Sequence, residues 1–161
     1  MIITLYHGSN VPIDKIDLSM GMINKDFGKG FYLTDILSQA EEMAKRRTRI
    51  TGQGSPTVTA FAFDDALLTD GSLNVKVFPD QVCGEWAVFV DGNRHASATG
   101  FKHNYDIVVG PVADDGVAFQ LERFHEHMID IETLAKELAY RKLNRQYFFG
   151  TEKAIAQLMK L

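Results

Sequence analysis

Two hydrophobic periods run through this chain without alternating in a regular order, and that limits the folds open to it. Thr57-Val58-Thr59-Ala60-Phe61-Ala62-Phe63 is β-rich and alternates, so it reads as a strand. Ile131, Leu134, Ala135 and Leu138 recur at i, i+3, i+4 and i+7 and predict an amphipathic helix. Residues 2–6, 31–33, 72–78, 105–109 and 146–149 are further strand readings, the fourth closed by Gly110-Pro111. A Ser38-x-x-Glu41 capping box predicts a helix running to residue 50 and stopping at Gly52-Gln53-Gly54. Trp86, Phe89 and Val90 predict a short helix before a turn at Asp91-Gly92-Asn93-Arg94, with Trp86 as a core anchor. Thr151 is placed to cap a terminal helix that turns Ala154, Ile155 and Leu158 inward. Strands and helices without strict βαβ order favour an α+β fold over a doubly wound parallel sheet.

Composition sets the scale of that fold. With 161 residues, 45% hydrophobic and 24% charged, the chain is expected to form one globular domain over 1–161, because no repeat or low-complexity linker divides it. The net charge of −4 argues against a protein that coats nucleic acid broadly, though it leaves room for a local basic patch. Cys83 is the single cysteine, so an intramolecular disulfide is not expected and a reducing compartment fits. The first residues lack a basic region followed by a long apolar run, and no stretch approaches the ~20 apolar residues of a membrane span. A cytoplasmic protein with no membrane partner is the expectation.

P-loop nucleotide hydrolysis, a Rossmann cofactor site and structural zinc lose weight, because there is no P-loop, no Gly-x-Gly-x-x-Gly, no cysteine pair and no His-Glu-x-x-His. His125-Glu126-His127 reads as a solvated helix surface, because i and i+2 side chains on a helix diverge. His95 and His103 read as surface-loop residues. The run Lys45-Arg46-Arg47-Thr48-Arg49 has two readings: hydrated cations complementing the negative end of a helix dipole, or a dock for the phosphates of a nucleotide or nucleic acid.

The most informative constellation is Tyr6-His7-Gly8-Ser9, a polar loop leaving a strand end, followed by Asp26-Phe27-Gly28-Lys29-Gly30-Phe31-Tyr32-Leu33-Thr34. Glycines 28 and 30 permit positive φ and close backbone approach, so this loop can fold over a planar ligand. It can equally be an ordinary loop leading into aromatic core residues. Together with a late Gln146-Tyr147-Phe148 strand, these residues resemble the His–Tyr–[Glu/Asp/Gln] arrangement of the diphtheria-toxin and poly-ADP-ribose-polymerase branch of the ADP-ribosyltransferases. The chain is most similar to an uncharacterised bacterial family of small domains with that fold. Trp86…Asn93-Arg94 and Tyr105-Asp106-Ile107-Val108-Val109-Gly110-Pro111-Val112-Ala113-Asp114 extend the likeness over nearly the whole length.

The resemblance implies a split β-sandwich with surrounding helices, holding NAD⁺ in a cleft as substrate without a metal. It implies a transferase that passes ADP-ribose to a macromolecular acceptor, protein or nucleic acid, in the manner of an intracellular toxin restrained by a small cognate antitoxin. His7 would meet the adenosine ribose, Gly8 the nicotinamide amide through its backbone, and Tyr32 the face of the nicotinamide ring. Ser9, Phe27, Lys29 and Thr34 would line the same pocket, with Lys29 near the pyrophosphate or the leaving end. Arg94 has two readings, a fork on phosphate or a surface ion pair. Gln146 stands where the better-known enzymes carry Glu; it supplies the hydrogen bond without the charge or a titratable base. Asp26, Glu152 or the acceptor itself would then supply the activation, or the protein binds NAD⁺ without efficient turnover. A strand-edge polar residue is the other reading of Gln146.

Overall fold

A computed structural model describes residues 1–82, 84–139 and 141–161. The expectation drawn from Cys83 concerns a residue outside that set. The strands are β1 (Ile2–Ser9), β2 (Phe31–Leu33), β3 (Thr57–Asp64), β4 (Val75–Val77), β5 (Ile107–Pro111), β6 (Arg145–Phe149) and β7 (Met159–Lys160). The helices are α1 (Leu37–Thr51), α2 (Gly84–Arg94), α3 (Ala96–Thr99), α4 (Asp115–His125), α5 (Ile131–Leu138) and α6 (Glu152–Ile155). The fold is therefore α+β. One sheet has the order β1-β3-β7 and the other β2-β6-β5-β4, all pairs antiparallel except β4 with β5.

Alternation of side chains along the second sheet builds two cores. Phe31, Leu33, Ile107, Val109 and Phe149 face the first sheet and pack with Leu5, Phe61 and Phe63. The opposite face presents Val108 and Phe148 to Phe27, Trp86, Val90, Val117, Leu121, Leu134 and Leu138 from the helical side. Trp86 is the expected core anchor; its indole Nε1–H donates to the Pro111 carbonyl at 2.7 Å. Helix α1 covers the far face of β1, where a Cβ on Gly8 would lie 2.0 Å from the Ala40 carbonyl oxygen.

Several local expectations are corrected. Strand β1 does not end at Tyr6: His7, Gly8 and Ser9 pair with Thr59, Val58 and Thr57, so they belong to a strand and not a loop. The Ser38/Glu41 capping box does not form; Ile36 is the N-cap without a side-chain bond, and Thr34 Oγ1 accepts the Ile36 N–H instead. The stop at Gly52 is as expected, with φ 65°. The supposed turn at 91–94 is the last turn of α2, where bare Gly92 lets the Phe101 ring approach and Asn93 donates to the Phe89 carbonyl. Strand β4 is shorter than residues 72–78, and β5 runs through Gly110-Pro111. Thr151 caps α6 as expected, accepting from the Ala154 N–H, but α6 is a single turn, and Leu158 follows it on the way to β7. No helix is long and apolar enough to cross a membrane among the described residues.

Candidate functional site

The two sheets meet at one corner. Tyr6 exchanges both backbone hydrogen bonds with Thr34, at 2.7 and 2.9 Å, which ties β1 to the residue directly after β2. Tyr32 opposes Phe148 and Leu33 opposes Tyr147, so the register continued by one residue sets Thr34 opposite Gln146. Tyr6, Thr34 and Gln146 thus form one row across three strands and project to the same side. Because Tyr6 directs its N–H and C=O toward Thr34, Gly8 two residues on directs its own to the same edge. No hydrogen bond from a described residue reaches them there.

His7 is fixed beside this edge. Its Nδ1 lies 2.7 Å from the Tyr32 carbonyl, and its ring stacks on Phe31 at 4.2 Å. A carbonyl only accepts, so Nδ1 carries the proton and Nε2 keeps a lone pair. Burial, the largest influence, pushes the imidazole pKa below its ordinary value; the Tyr32 carbonyl opposes this and Arg47 adds to it. The ring is neutral at pH 7 as a result.

Gln146 opens into a pocket of about 180 Å³ whose other lining residues are Gln39, Glu42, Met43, Arg46 and Asn144. The four α1 residues recur at i, i+3, i+4 and i+7, so one face of the helix forms a wall opposite β6. Thr34 Oγ1 donates to Gln39 Oε1 at 3.0 Å and ties the two walls together. Sequence reasoning missed Gln39, Glu42, Met43 and Asn144; the signal was a polar stripe at helical spacing leading into the 45–49 run. Of that run, Arg46 is on the pocket.

Tyr32 is held tightly. Its hydroxyl donates to the Gly28 carbonyl at 2.6 Å and accepts from the Phe27 N–H at 3.1 Å, while its ring meets the Phe148 edge at 5.3 Å. Burial raises its pKa far above the usual phenol value, with the Phe27 N–H opposing and Asp26 adding. Phe27, expected to line the pocket, is instead fully buried in the helix-side core, because its ring stacks toward Tyr32 and Phe78. Lys29 is exposed, and Ser9 bonds its neighbour Asn10 at the end of β1. Arg94 is neither a free phosphate fork nor a mere surface pair. It donates to buried Asp26 at 2.8 Å, and the other Asp26 oxygen accepts the Ala113 N–H at 2.7 Å. Those bonds leave Asp26 structurally engaged.

Two histidines read as loop residues are also engaged. His103 Nε2 lies 2.6 Å from the Phe27 carbonyl and its Nδ1 accepts from the Tyr105 N–H, so it props the 26–28 loop. His95 bonds Asp91 and Glu122 and stacks on His125, which is therefore not simply a hydrated helix residue.

Fold and corner together define an α+β domain whose candidate site joins β1, β2, β6 and α1. Residues 3–160 match the family DUF3990, described as proteins of unknown function, and the chain belongs to that family. Neither the curated proteins nor the solved structures contain a match to it.

Proposed function

We propose that this protein is an NAD⁺-dependent mono-ADP-ribosyltransferase with an ADP-ribosyltransferase-like split β-sandwich. The observation that carries the reading is the corner itself, which gathers neutral His7, the free backbone edge of Gly8, the Tyr32 strand and Gln146. His7 Nε2 would accept from a ribose hydroxyl, and the Gly8 N–H and C=O would pair with the nicotinamide carboxamide. Tyr32 would offer its remaining ring edge, since its hydroxyl is already satisfied. Gln146 would hydrogen-bond the nicotinamide ribose, and Arg46 supplies positive charge for the pyrophosphate across the same pocket.

The reaction breaks the N-glycosidic bond. Its electron pair leaves with nicotinamide, which departs neutral; a nucleophile on a protein or nucleic acid attacks the oxocarbenium-like sugar carbon and loses a proton. Holding the bound nucleotide bent and stabilising the sugar cation are the protein's contributions. A cytoplasmic toxin restrained by a small antitoxin is the setting we propose. A second reading, a non-catalytic NAD⁺ or ADP-ribose binder, is favoured by the one feature that Gln146 brings no negative charge.

Incubation with labelled NAD⁺ separates them. Free nicotinamide, with label passed to protein or RNA, is expected; His7→Ala should abolish binding and turnover, whereas Gln146→Ala should remove turnover and spare binding. Saturable NAD⁺ binding without either product selects the second reading, and the absence of NAD⁺ binding overturns both.

A further inference from the structure

At the junction of α2 and α4, three ligand-bearing side chains converge outside the candidate cleft. Asp91 is on α2, His95 follows one turn later at i+4, and His125 is the last residue of α4. Their donor atoms all lie within 4.8 Å of one another. His95 Nδ1 and His125 Nδ1 are each 3.2 Å from Asp91 Oδ1. That oxygen is buried and has no hydrogen-bond partner of acceptable geometry. The two imidazole rings lie parallel at 3.5 Å. His125 Nδ1 bonds the other carboxylate oxygen, Oδ2, at 3.2 Å, so Oδ1 is left as a buried oxygen that a cation between the two imidazoles would satisfy.

We propose that Asp91, His95 and His125 form a binding site for a divalent transition metal of the zinc class. Ligands at 2.0–2.1 Å around a tetrahedral ion stand ~3.3 Å apart, close to the spacing of both nitrogens from Asp91 Oδ1. Two imidazoles and a carboxylate form a borderline N/O set that suits Zn²⁺, Co²⁺ or Ni²⁺, whereas Mg²⁺ and Ca²⁺ prefer all-oxygen shells. Glu122 fills the outer position: its Oε1 lies 3.3 Å from His95 Nε2, the carboxylate–histidine–metal relay that orients a ligating ring. His95 Nδ1 also lies 3.0 Å from the Asp91 main-chain carbonyl, a contact the metal would replace. Rotation about χ2, which is broad for histidine, unstacks the rings so that their lone pairs converge. A depression of about 870 Å³, lined by Asp91, His125, His127 and Asp130 among others, gives an ion its route in and room for water at an open coordination position. The ion would clamp α2 to α4 one residue beyond Arg94, which holds Asp26.

Co²⁺ is the spectroscopic probe, titrated into metal-stripped full-length protein at pH 7.5 with equilibrium dialysis against Zn²⁺ in parallel. One equivalent should bind, with visible d–d bands of a low-coordinate site and a raised melting temperature. Single substitutions His95→Ala and His125→Ala should weaken Zn²⁺ binding by more than the 10–100-fold typical of losing an outer partner, and Glu122→Gln should weaken it within that range. Asp91→Asn keeps the side-chain shape, and circular dichroism of each variant shows whether it folds. Absence of stoichiometric binding, or binding that survives in the folded double variant H95A/H125A, overturns the proposal. The cluster is then a hydrogen-bonded imidazole pair only.

Discussion

Replacing Gly8 by alanine separates a packing glycine from one whose value lies in ligand contact alone. The new Cβ would stand 2.0 Å from the Ala40 carbonyl oxygen and 2.9 Å from the Ala44 nitrogen, both backbone atoms of α1. No side chain can rotate away. Relief requires α1 to move by about an ångström or more relative to β1, since Cβ contacts under 3.0 Å are essentially never found. Strand β1 cannot move in compensation because it is paired with β3 along its whole length, from Ile2 with Asp64 to Ser9 with Thr57. Overpacking against backbone belongs at the upper end of its range, about 3 kcal/mol. For a chain of this size that lowers Tm by roughly 6–12 °C. Gly52→Ala is the control: it has φ 65° with nothing within 4 Å, so it carries only the left-handed cost of about 1 kcal/mol. Thermal melts followed by circular dichroism read both. The displaced α1 carries Gln39, Glu42, Met43 and Arg46 with it, so whatever binds the pocket should bind G8A more weakly even well below the melt. A G8A protein that melts no lower than G52A would refute the close helix–strand packing on which the pocket rests.

Three further outcomes follow from the same geometry. Asp26→Asn loses the charge-assisted bond to Arg94 and should cost about 2 kcal/mol in urea unfolding, with m unchanged. Trp86→Phe orphans the Pro111 carbonyl in a fully buried setting and shrinks the core, for about 2–3 kcal/mol by the same assay. Burial, the leading cause in each case, depresses the folded-state pKa of both His7 and His103, so the unfolded chain binds more protons below about pH 6.5. Their contribution to stability is intact above that pH and is lost as pH falls from 6.5 toward the folded values; His7→Gln should flatten the stability profile over this window, and an unchanged slope would contradict the burial of that ring.

Legibility in the sequence followed the range of the interaction. Strand β3 and helix α5 were readable because each carries its period within a few residues. Helix α2 reads as ending at Asp91-Gly92-Asn93-Arg94 because turn chemistry is local, whereas the use of a glycine at 92 is room for the Phe101 ring, a contact the local sequence does not show. The same limit applied to the site. His7, Tyr32 and Gln146 are marked by motif, but the wall opposite Gln146 comes from α1, about a hundred residues earlier in the chain. The glycine-spaced loop was readable as a flap able to close over a ligand, and its long-range contacts make it something else. Tyr32 holds the Gly28 carbonyl and Phe27 N–H, His103 the Phe27 carbonyl, and Asp26 binds both Arg94 and the Ala113 N–H. Four residues from separate stretches of the chain, Tyr32, Arg94, His103 and Ala113, therefore anchor residues 26–28. A segment pinned in this way is ordered without a ligand and is part of the helix-side packing rather than a flap, so no binding energy is needed to order it.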